Sequence, residues 1–125
     1  MRRSIVIVVG LLVAVLASGT ARAGDPEVKR EGPCSGNSEW KLEVRLDDGA
    51  FRVRWEADSG IPGQQWRLNL RHNGTLIAST VRTTNADGEA QLRLRGVENL
   101  AGRDTFAGHA RNLGSGETCS ASASI

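Results

Sequence analysis

Residues 64–80 constrain the fold of this chain most strongly, because apolar and polar side chains alternate along them. Trp66, Leu68 and Leu70 alternate with Arg67, Asn69 and Arg71. A period of two places the apolar side chains on one face of a β-strand and the polar side chains on the other. Asn73-Gly74 follows, and this pair tolerates the positive φ angles that both central residues of a type I′ turn require. The segment therefore predicts a half-buried strand that turns at Asn73-Gly74 into a second strand, residues 75–81.

The same alternation recurs along most of the chain after residue 40. Further predicted strands begin near Trp40, Phe51, Ala90, Thr105 and Glu117, and turns such as Asp47-Asp48-Gly49 and Ala86-Asp87-Gly88 separate them. Outside residues 1–23, no segment has the sustained period of about 3.6 residues that an amphipathic helix requires. This spacing of strands predicts an all-β fold, a two-sheet antiparallel sandwich of about seven strands.

Residues 1–23 have the parts of a signal peptide. Met1-Arg2-Arg3 is basic, residues 5–16 are almost wholly apolar, and Ala21-Arg22-Ala23 has the small residues that a signal peptidase accepts. The sequence therefore predicts a signal helix cleaved after Ala23, a secreted protein, and no membrane attachment of the mature chain. Whether export follows the general secretory or the twin-arginine route stays open. Residues 24–37 are predicted to be an extended lead-in, and residues 38–125 the sandwich domain.

The charge of the mature chain is close to balanced. Arg2, Arg3 and Arg22 leave with the signal peptide, which reduces the 16 basic residues to 13 against 14 acidic ones. Net charge therefore predicts no general attraction to polyanions, and only a local patch of basic side chains remains a candidate for binding them.

Two cysteines, Cys34 near the start of the mature chain and Cys119 near its end, predict a disulfide. Export delivers them to an oxidising compartment, where an isolated pair is typically bonded. The bond would bring the first and last strands together. A zinc site needs four ligands at characteristic spacings, which these cysteines and the distant His72 and His109 do not provide. No metal and no cofactor are therefore expected.

Two candidates for chemistry are incomplete. Residues 83–88 are similar to the start of a calcium loop, but Thr83 and Leu94 stand where acidic ligands belong, so a plain turn is expected. His72 and His109 have no Gly-x-Ser-x-Gly elbow to accompany them, so surface histidines are expected. No catalytic residue is assigned.

The three tryptophans allow two interpretations. Trp40, Trp55 and Trp66 share their positions in the alternation with the Leu, Val or Phe residues of their own strands, which predicts that they lie in the core. The alternative is an exposed platform of flat rings that binds carbohydrate.

Several segments resemble strands C, E and F and the F–G turn of fibronectin type III and immunoglobulin-like modules. They are Trp66-Arg-Leu-Asn-Leu with Asn73-Gly74, Gly88-Glu-Ala-Gln-Leu-Arg-Leu, and Ala110-Arg-Asn-Leu-Gly114. The chain has no tyrosine, so the tyrosine corner of those families is missing, and Asp104 stands near its place. With Cys34-Ser-Gly and Gly116-Glu-Thr-Cys119, the pattern is also similar to small exported β-sandwich proteins of actinobacteria, most of which have no assigned activity. The resemblance implies a fold and a compartment but no catalytic residue.

The resemblance also implies that the first, second and fifth strands form one sheet, whose outer surface we call the arginine face. Its bases are Lys41, Arg45, Arg52, Arg54, Arg93 and Arg95, and its acids are only Glu43 and Glu56. This face is either a solvated surface with cross-strand ion pairs or a site that attracts anionic polymers such as those of a cell wall. No aromatic residue alternates onto it, which argues against nucleic acid.

The expected function is that of a secreted, non-catalytic binding or interaction module. Its partner, an extracellular anionic polymer or a protein, is not identified by the sequence. Contact is expected through the arginine face or through loops at residues 57–63, 82–88 and 113–116. The alternatives are a carbohydrate-binding module and a secreted inhibitor of a hydrolase that uses residues 57–63. An enzyme would require clustered polar residues of unlike role, and the sequence shows none.

Overall fold

Eight β-strands and their connections make up the part of the chain that the computed structural model describes, residues 26–125. The strands are β1 (Glu27–Pro33), β2 (Glu39–Asp47), β3 (Ala50–Asp58), β4 (Gln65–His72), β5 (Thr75–Thr83), β6 (Glu89–Glu98), β7 (Thr105–Asn112) and β8 (Thr118–Ser124). In this part of the chain there is no helix of the length and apolarity needed to cross a membrane. The predicted signal peptide, residues 1–23, lies outside the described residues.

The strands form two four-stranded antiparallel sheets, with the order β1-β2-β3-β6 in the first and β5-β4-β7-β8 in the second. The predicted two-sheet sandwich is therefore confirmed, and its strand order is consistent with an immunoglobulin-like fold. The additional strand is β1, which lies in the predicted lead-in and pairs with β2 from Glu27 opposite Arg45 to Pro33 opposite Glu39. β1 is an edge strand with mostly exposed side chains, so apolar alternation does not reveal it.

The apolar side chains of the alternating segments form the core between the sheets. Trp55 and Trp66 are fully buried. Trp40 is half-buried and packs against Trp55 at a ring-centroid distance of 6.0 Å, and its indole N–H donates to the carbonyl oxygen of Pro33 over 3.1 Å. The core position that the alternation predicts is confirmed for Trp55 and Trp66, so neither offers a ring face to a sugar.

Gly108 on β7 makes room for one of these tryptophans. A Cβ atom at this position would lie 2.6 Å from the ring of Trp55, which is shorter than a real carbon–carbon contact. The indole N–H of Trp55 donates to the carbonyl oxygen of His109 on the same strand over 3.3 Å. A tryptophan of the first sheet therefore packs directly on the backbone of the second.

The Asn73-Gly74 turn joins β4 to β5 as predicted. Both residues have positive φ, 48° for Asn73 and 87° for Gly74, as a type I′ turn requires. The side chain of Asn73 also accepts a hydrogen bond from the backbone N–H of Thr105 over 2.8 Å. The turn is thereby fastened to the first residue of β7, the strand that pairs with β4.

The predicted disulfide joins Cys34 to Cys119, whose Cα atoms lie 4.3 Å apart. It connects the turn after β1 to β8, the last strand, which contacts both β1 and β2. Hydrogen bonds extend the junction, since the N–H of Ser35 donates to the carbonyl of Thr118 over 2.8 Å and the N–H of Thr118 donates to the hydroxyl of Ser35 over 3.0 Å. The two ends of the domain are joined both covalently and by hydrogen bonds.

Glu117 strengthens the same junction. Its carboxylate accepts hydrogen bonds from the backbone N–H groups of Gly36 and Ser38, each over 2.9 Å, and from the hydroxyl of Ser38 over 2.8 Å. Burial acts to raise the pKa of this carboxyl group, but the hydrogen bonds from Ser38 and Gly36 favour the charged form and hold the pKa of Glu117 below its ordinary value. Glu117 is therefore ionised at neutral pH, and its hydrogen bonds hold the loop between β1 and β2 against the start of β8.

Candidate functional site

The arginine face lies on the outer surface of the first sheet. The strands that carry its residues, β2, β3 and β6, are neighbours there, so they do share one sheet. Their register places Arg45 opposite Arg52, and Arg54 opposite both Glu43 and Arg93. Because adjacent strands are about 4.8 Å apart, these charged side chains are direct neighbours.

A β-bulge adds a further arginine to this group. The register between β3 and β6 shifts between Phe51 and Val53, so one residue of β3, Arg52, spans two residues of β6, Arg95 and Gly96. Gly96 has a φ of 66°, a left-handed backbone conformation that glycine adopts readily and that is common at β-bulges. The bulge keeps Arg95 on the same side of the sheet as Arg52, and both side chains line one depression.

Five arginines surround this depression, which has a volume of about 210 Å³. They are Arg45, Arg52, Arg54, Arg93 and Arg95. Two carboxylates, Glu27 and Glu43, also line the depression. We call it the arginine depression. Lys41, the remaining base predicted for the face, does not line it and lies opposite Glu56 on the same sheet.

Two of the five arginines are neutralised by carboxylates of the protein. The Nε atom of Arg52 lies 2.8 Å from a carboxylate oxygen of Asp47. The Nη2 atom of Arg54 lies 2.8 Å from Oε1 of Glu56, and its Nη1 atom lies 3.6 Å from Oε2 of Glu43. The pairs with Asp47 and Glu43 join β3 to β2, as expected of a solvated sheet face, whereas Arg54 and Glu56 both lie on β3.

The other three arginines are not neutralised in this way. Within residues 26–125, no carboxylate oxygen lies within 4.0 Å of Arg45, Arg93 or Arg95. Arg93 instead donates from Nε and Nη2 to the side-chain oxygen of Gln91, over 3.2 and 3.0 Å. The arginine depression therefore carries an excess of positive charge, although residues 24–125 together have 13 basic residues against 14 acidic ones.

The prediction that this face carries only two acids, Glu43 and Glu56, is wrong. Glu39 and Glu89 also lie on it, each directly opposite Asp58. The strands are longer than the alternation predicts, because β3 continues to Asp58 and β6 begins at Glu89. The outer face of the first sheet is therefore basic at one end and acidic at the other.

The expectation that His72 lies on the surface is also wrong, since its side chain is 5% exposed. Its Nε2 lies 2.6 Å from Oδ1 of the buried Asp104, and its ring stacks on Phe106 at a centroid distance of 4.3 Å. Within the described residues, the imidazole makes no hydrogen bond with a serine, threonine or cysteine side chain. The pair therefore joins β4 to the residue before β7 without bringing a nucleophile to the histidine. His109 is exposed, as predicted.

The three predicted loops lie at one end of the sandwich. They are residues 57–63, 82–88 and 113–116. The backbone N–H of Gly63 donates to the carbonyl oxygen of Thr84 over 3.1 Å, which joins the loop at residues 57–63 to the loop at residues 82–88. The backbone N–H of Leu113 donates to the carbonyl oxygen of Gln65 over 2.9 Å, which joins the loop at residues 113–116 to the start of β4. This loop end is a second candidate surface.

Comparison of the chain with known protein families, curated proteins and solved structures finds no match. The two-sheet sandwich is shown by the strand pairing itself, whereas the resemblance to fibronectin type III modules and to small exported sandwich proteins stays a prediction. The function must therefore be inferred from the arginine depression and the loop end.

Proposed function

We propose that this protein is an exported, non-catalytic binding module whose arginine depression holds anionic groups of an extracellular polymer. The main support is that Arg45, Arg93 and Arg95 line one depression without a carboxylate partner in the described chain. Like charges on neighbouring strands destabilise a sheet unless counter-ions neutralise them. A ligand with several anionic groups supplies such counter-ions at one place.

Guanidinium groups suit such a ligand. Each presents a planar fork of N–H donors that can bind a phosphate, sulfate or carboxylate through two parallel hydrogen bonds. Arg93 already uses Nε and Nη2 on Gln91, which orients its guanidinium group and leaves Nη1 for a ligand. The exposed position of Arg45, Arg93 and Arg95 allows a long chain of anionic groups to pass across the depression.

Two features favour an extracellular polyanion over nucleic acid. Proteins that bind single-stranded nucleic acids stack bases on aromatic side chains, whereas the tryptophans and phenylalanines of this chain pack into or against the core. The disulfide fits an oxidising compartment, in agreement with the predicted signal peptide.

Binding to polyphosphate tests the proposal. In buffer with EDTA, we expect the purified protein to bind fluorescently labelled polyphosphate, with an affinity that falls as the salt concentration rises. Each neutralised phosphate contributes roughly −0.7 to −0.9 to the slope of log K against log salt concentration, so three arginines give about −2 to −3. The double variant Arg93→Ser/Arg95→Ser is expected to bind at least about tenfold more weakly at low salt and to reduce the slope to about −1, as measured by fluorescence anisotropy.

Arg67→Ser/Arg111→Ser is the matched control. These two arginines are exposed and lie opposite each other on β4 and β7, in the other sheet, so their replacement removes the same charge. We expect this variant to bind within about twofold of the unchanged protein. An equal loss in both double variants would show that net charge drives the binding, and binding insensitive to salt would exclude the arginine depression as the site.

A second function, inhibition of a secreted hydrolase, is favoured by the structure of residues 57–63. Ile61 in this loop is 54% exposed, and its carbonyl oxygen accepts a hydrogen bond from the hydroxyl of Thr84 over 2.7 Å. Gly88, with a φ of 83°, packs so closely on the loop that a Cβ there would lie 2.3 Å from the backbone nitrogen of Ile61. An apolar anchor on a braced loop loses little conformational freedom on binding.

Inhibition assays on the hydrolases secreted by the native source test this second function. If Ile61 is the anchor, Ile61→Asp weakens inhibition at least about tenfold, because a charge cannot enter an apolar pocket without a large desolvation cost. Leu113→Asp, which alters another exposed apolar residue at the loop end, is expected to inhibit normally. Full inhibition by Ile61→Asp would rule this loop out.

A further inference from the structure

Three carboxylates meet at the acidic end of the first sheet. This acidic cluster consists of Glu56 and Asp58 on β3 and Glu89 on β6. Each residue offers one oxygen, and these oxygens lie within 4.8 Å of one another. Because Asp58 is directly opposite Glu89, the pairing of the strands itself holds these carboxylates together. Like charges at this distance repel, and a cation between them removes the repulsion.

Glu56 is the member of the cluster that most needs such a cation. Its side chain is 0% exposed although it belongs to the outer face of the sheet. Its Oε1 accepts hydrogen bonds from Arg54 and Gln91, each over 2.8 Å. Its Oε2 is buried and has no hydrogen-bond partner among residues 26–125. This oxygen has lost its hydration without receiving a donor in exchange, so its lone pairs are available to a metal ion.

We propose that Glu56, Asp58 and Glu89 form a calcium site, separate from the arginine depression. Ca²⁺ binds carboxylate, carbonyl and water oxygens at about 2.3–2.6 Å, so two ligands on opposite sides of the ion are about 4.8 Å apart. Ligand oxygens within 4.8 Å of one another can therefore surround one calcium ion. Ca²⁺ is preferred over Mg²⁺ because it accepts irregular sets of oxygen ligands, whereas Mg²⁺ requires a near-ideal octahedron and gives up its water reluctantly. Water completes the coordination.

The charges around the cluster set the affinity that we expect. Arg54 contacts Glu56 and is shared with Glu43, so one guanidinium group offsets only part of the charge of three carboxylates. Lys41, opposite Glu56 on β2, has no carboxylate within 4.0 Å in the described chain, and its ammonium group further weakens cation binding. The dissociation constant is therefore expected in the range of about 10⁻⁴–10⁻³ M typical of extracellular calcium modules.

This site differs from the calcium-like motif at residues 83–88. There the side-chain oxygen of Asn85 accepts hydrogen bonds from the backbone N–H groups of Asp87 and Glu89, over 2.9 and 3.0 Å, which closes the segment into a turn. The acidic cluster instead assembles from two strands that are distant in sequence. No spacing of residues along the chain indicates it.

Calcium titration of the purified, EDTA-treated protein tests the proposal. We expect isothermal titration calorimetry to show one Ca²⁺ per chain, and CaCl₂ at about 10 mM to raise the thermal midpoint by at least about 5 °C. Asp58→Asn and Glu89→Gln preserve side-chain size while removing one charge. Each is expected to weaken calcium binding at least about tenfold. Thermal unfolding without calcium shows that each variant is folded.

Glu98→Gln is the matched control, since Glu98 is an exposed carboxylate near the other end of β6. Its calcium affinity is expected to equal that of the unchanged protein. The proposal is overturned if calcium causes neither heat nor a thermal shift, if Mg²⁺ binds more tightly than Ca²⁺, or if Glu98→Gln weakens binding as much as the cluster variants do.

Discussion

Asp104→Ala is expected to lower the free energy of unfolding by about 3–5 kcal/mol, because it removes one partner of a buried pair. Asp104 is 2% exposed, and its Oδ1 is the hydrogen-bond partner of both His72 Nε2 and the backbone N–H of Leu100. Without the carboxylate, both groups lose their acceptor. His72 stays stacked on Phe106 in the core, where little water can replace the lost hydrogen bond.

Urea unfolding followed by tryptophan fluorescence measures this loss, and the thermal midpoint is expected to fall by at least about 12 °C. Asp104→Asn keeps an acceptor oxygen and is expected to be less destabilising than Asp104→Ala. Asp87→Ala, in an exposed turn, is the control and is expected to change stability by less than about 0.5 kcal/mol. If Asp104→Ala were as mild as this control, the His72 contact would not contribute to the fold.

Replacement of both cysteines by alanine, Cys34→Ala with Cys119→Ala, is expected to cost about 2–5 kcal/mol. The bond joins residues separated by 85 positions, and the chain-entropy argument gives up to about 4.5 kcal/mol for a loop of this length. A domain of this size buries only about two thirds of the surface that its unfolded chain exposes. The disulfide is therefore a large fraction of a small net stability.

Equilibrium unfolding of the double variant should agree with that of the unchanged protein in dithiothreitol, because both lack the same constraint on the unfolded chain. Ser120→Ala, beside the disulfide on the exposed side of β8, is the control and is expected to have almost no effect. Reduced protein that unfolds at the same urea concentration as oxidised protein would refute this role of the bond.

The strands of the core could be predicted because burial of one side of a sheet imposes a period of two on the sequence. That period places Trp55 and Trp66 inward, and it also collects the arginines on the opposite face. Asn73-Gly74 was equally informative, since few other pairs accept positive φ at two successive positions. These features depend only on residues near one another in the chain.

β1 and the acidic cluster could not be predicted, because neither leaves a local pattern. β1 has Val28 as its one partly buried large apolar side chain, and backbone pairing with β2 holds it in place. Asp58 and Glu89 meet only when β3 pairs with β6. Their proximity is a consequence of the strand order, which alternation does not specify.

The position of His72 in the sequence indicates that its side chain is buried. It continues the inward positions of Trp66, Leu68 and Leu70 at the same spacing of two, so the alternation alone places it in the core. Its polar ring and the adjacent turn favour the opposite expectation. Asp104 offsets the cost of burying the polar ring of His72 by forming a hydrogen bond with it. It is 32 residues away in the chain, and only the tertiary structure shows that the two side chains meet.

The position of the disulfide also determines how the domain responds to tension. A pulling force applied to the chain before Cys34 and after Cys119 passes through the sulfur–sulfur bond and bypasses β2 to β7. Only β1 and the part of β8 that follows Cys119 can then be peeled from the sheets. The segment between the two cysteines cannot be extended by the force until a covalent bond breaks.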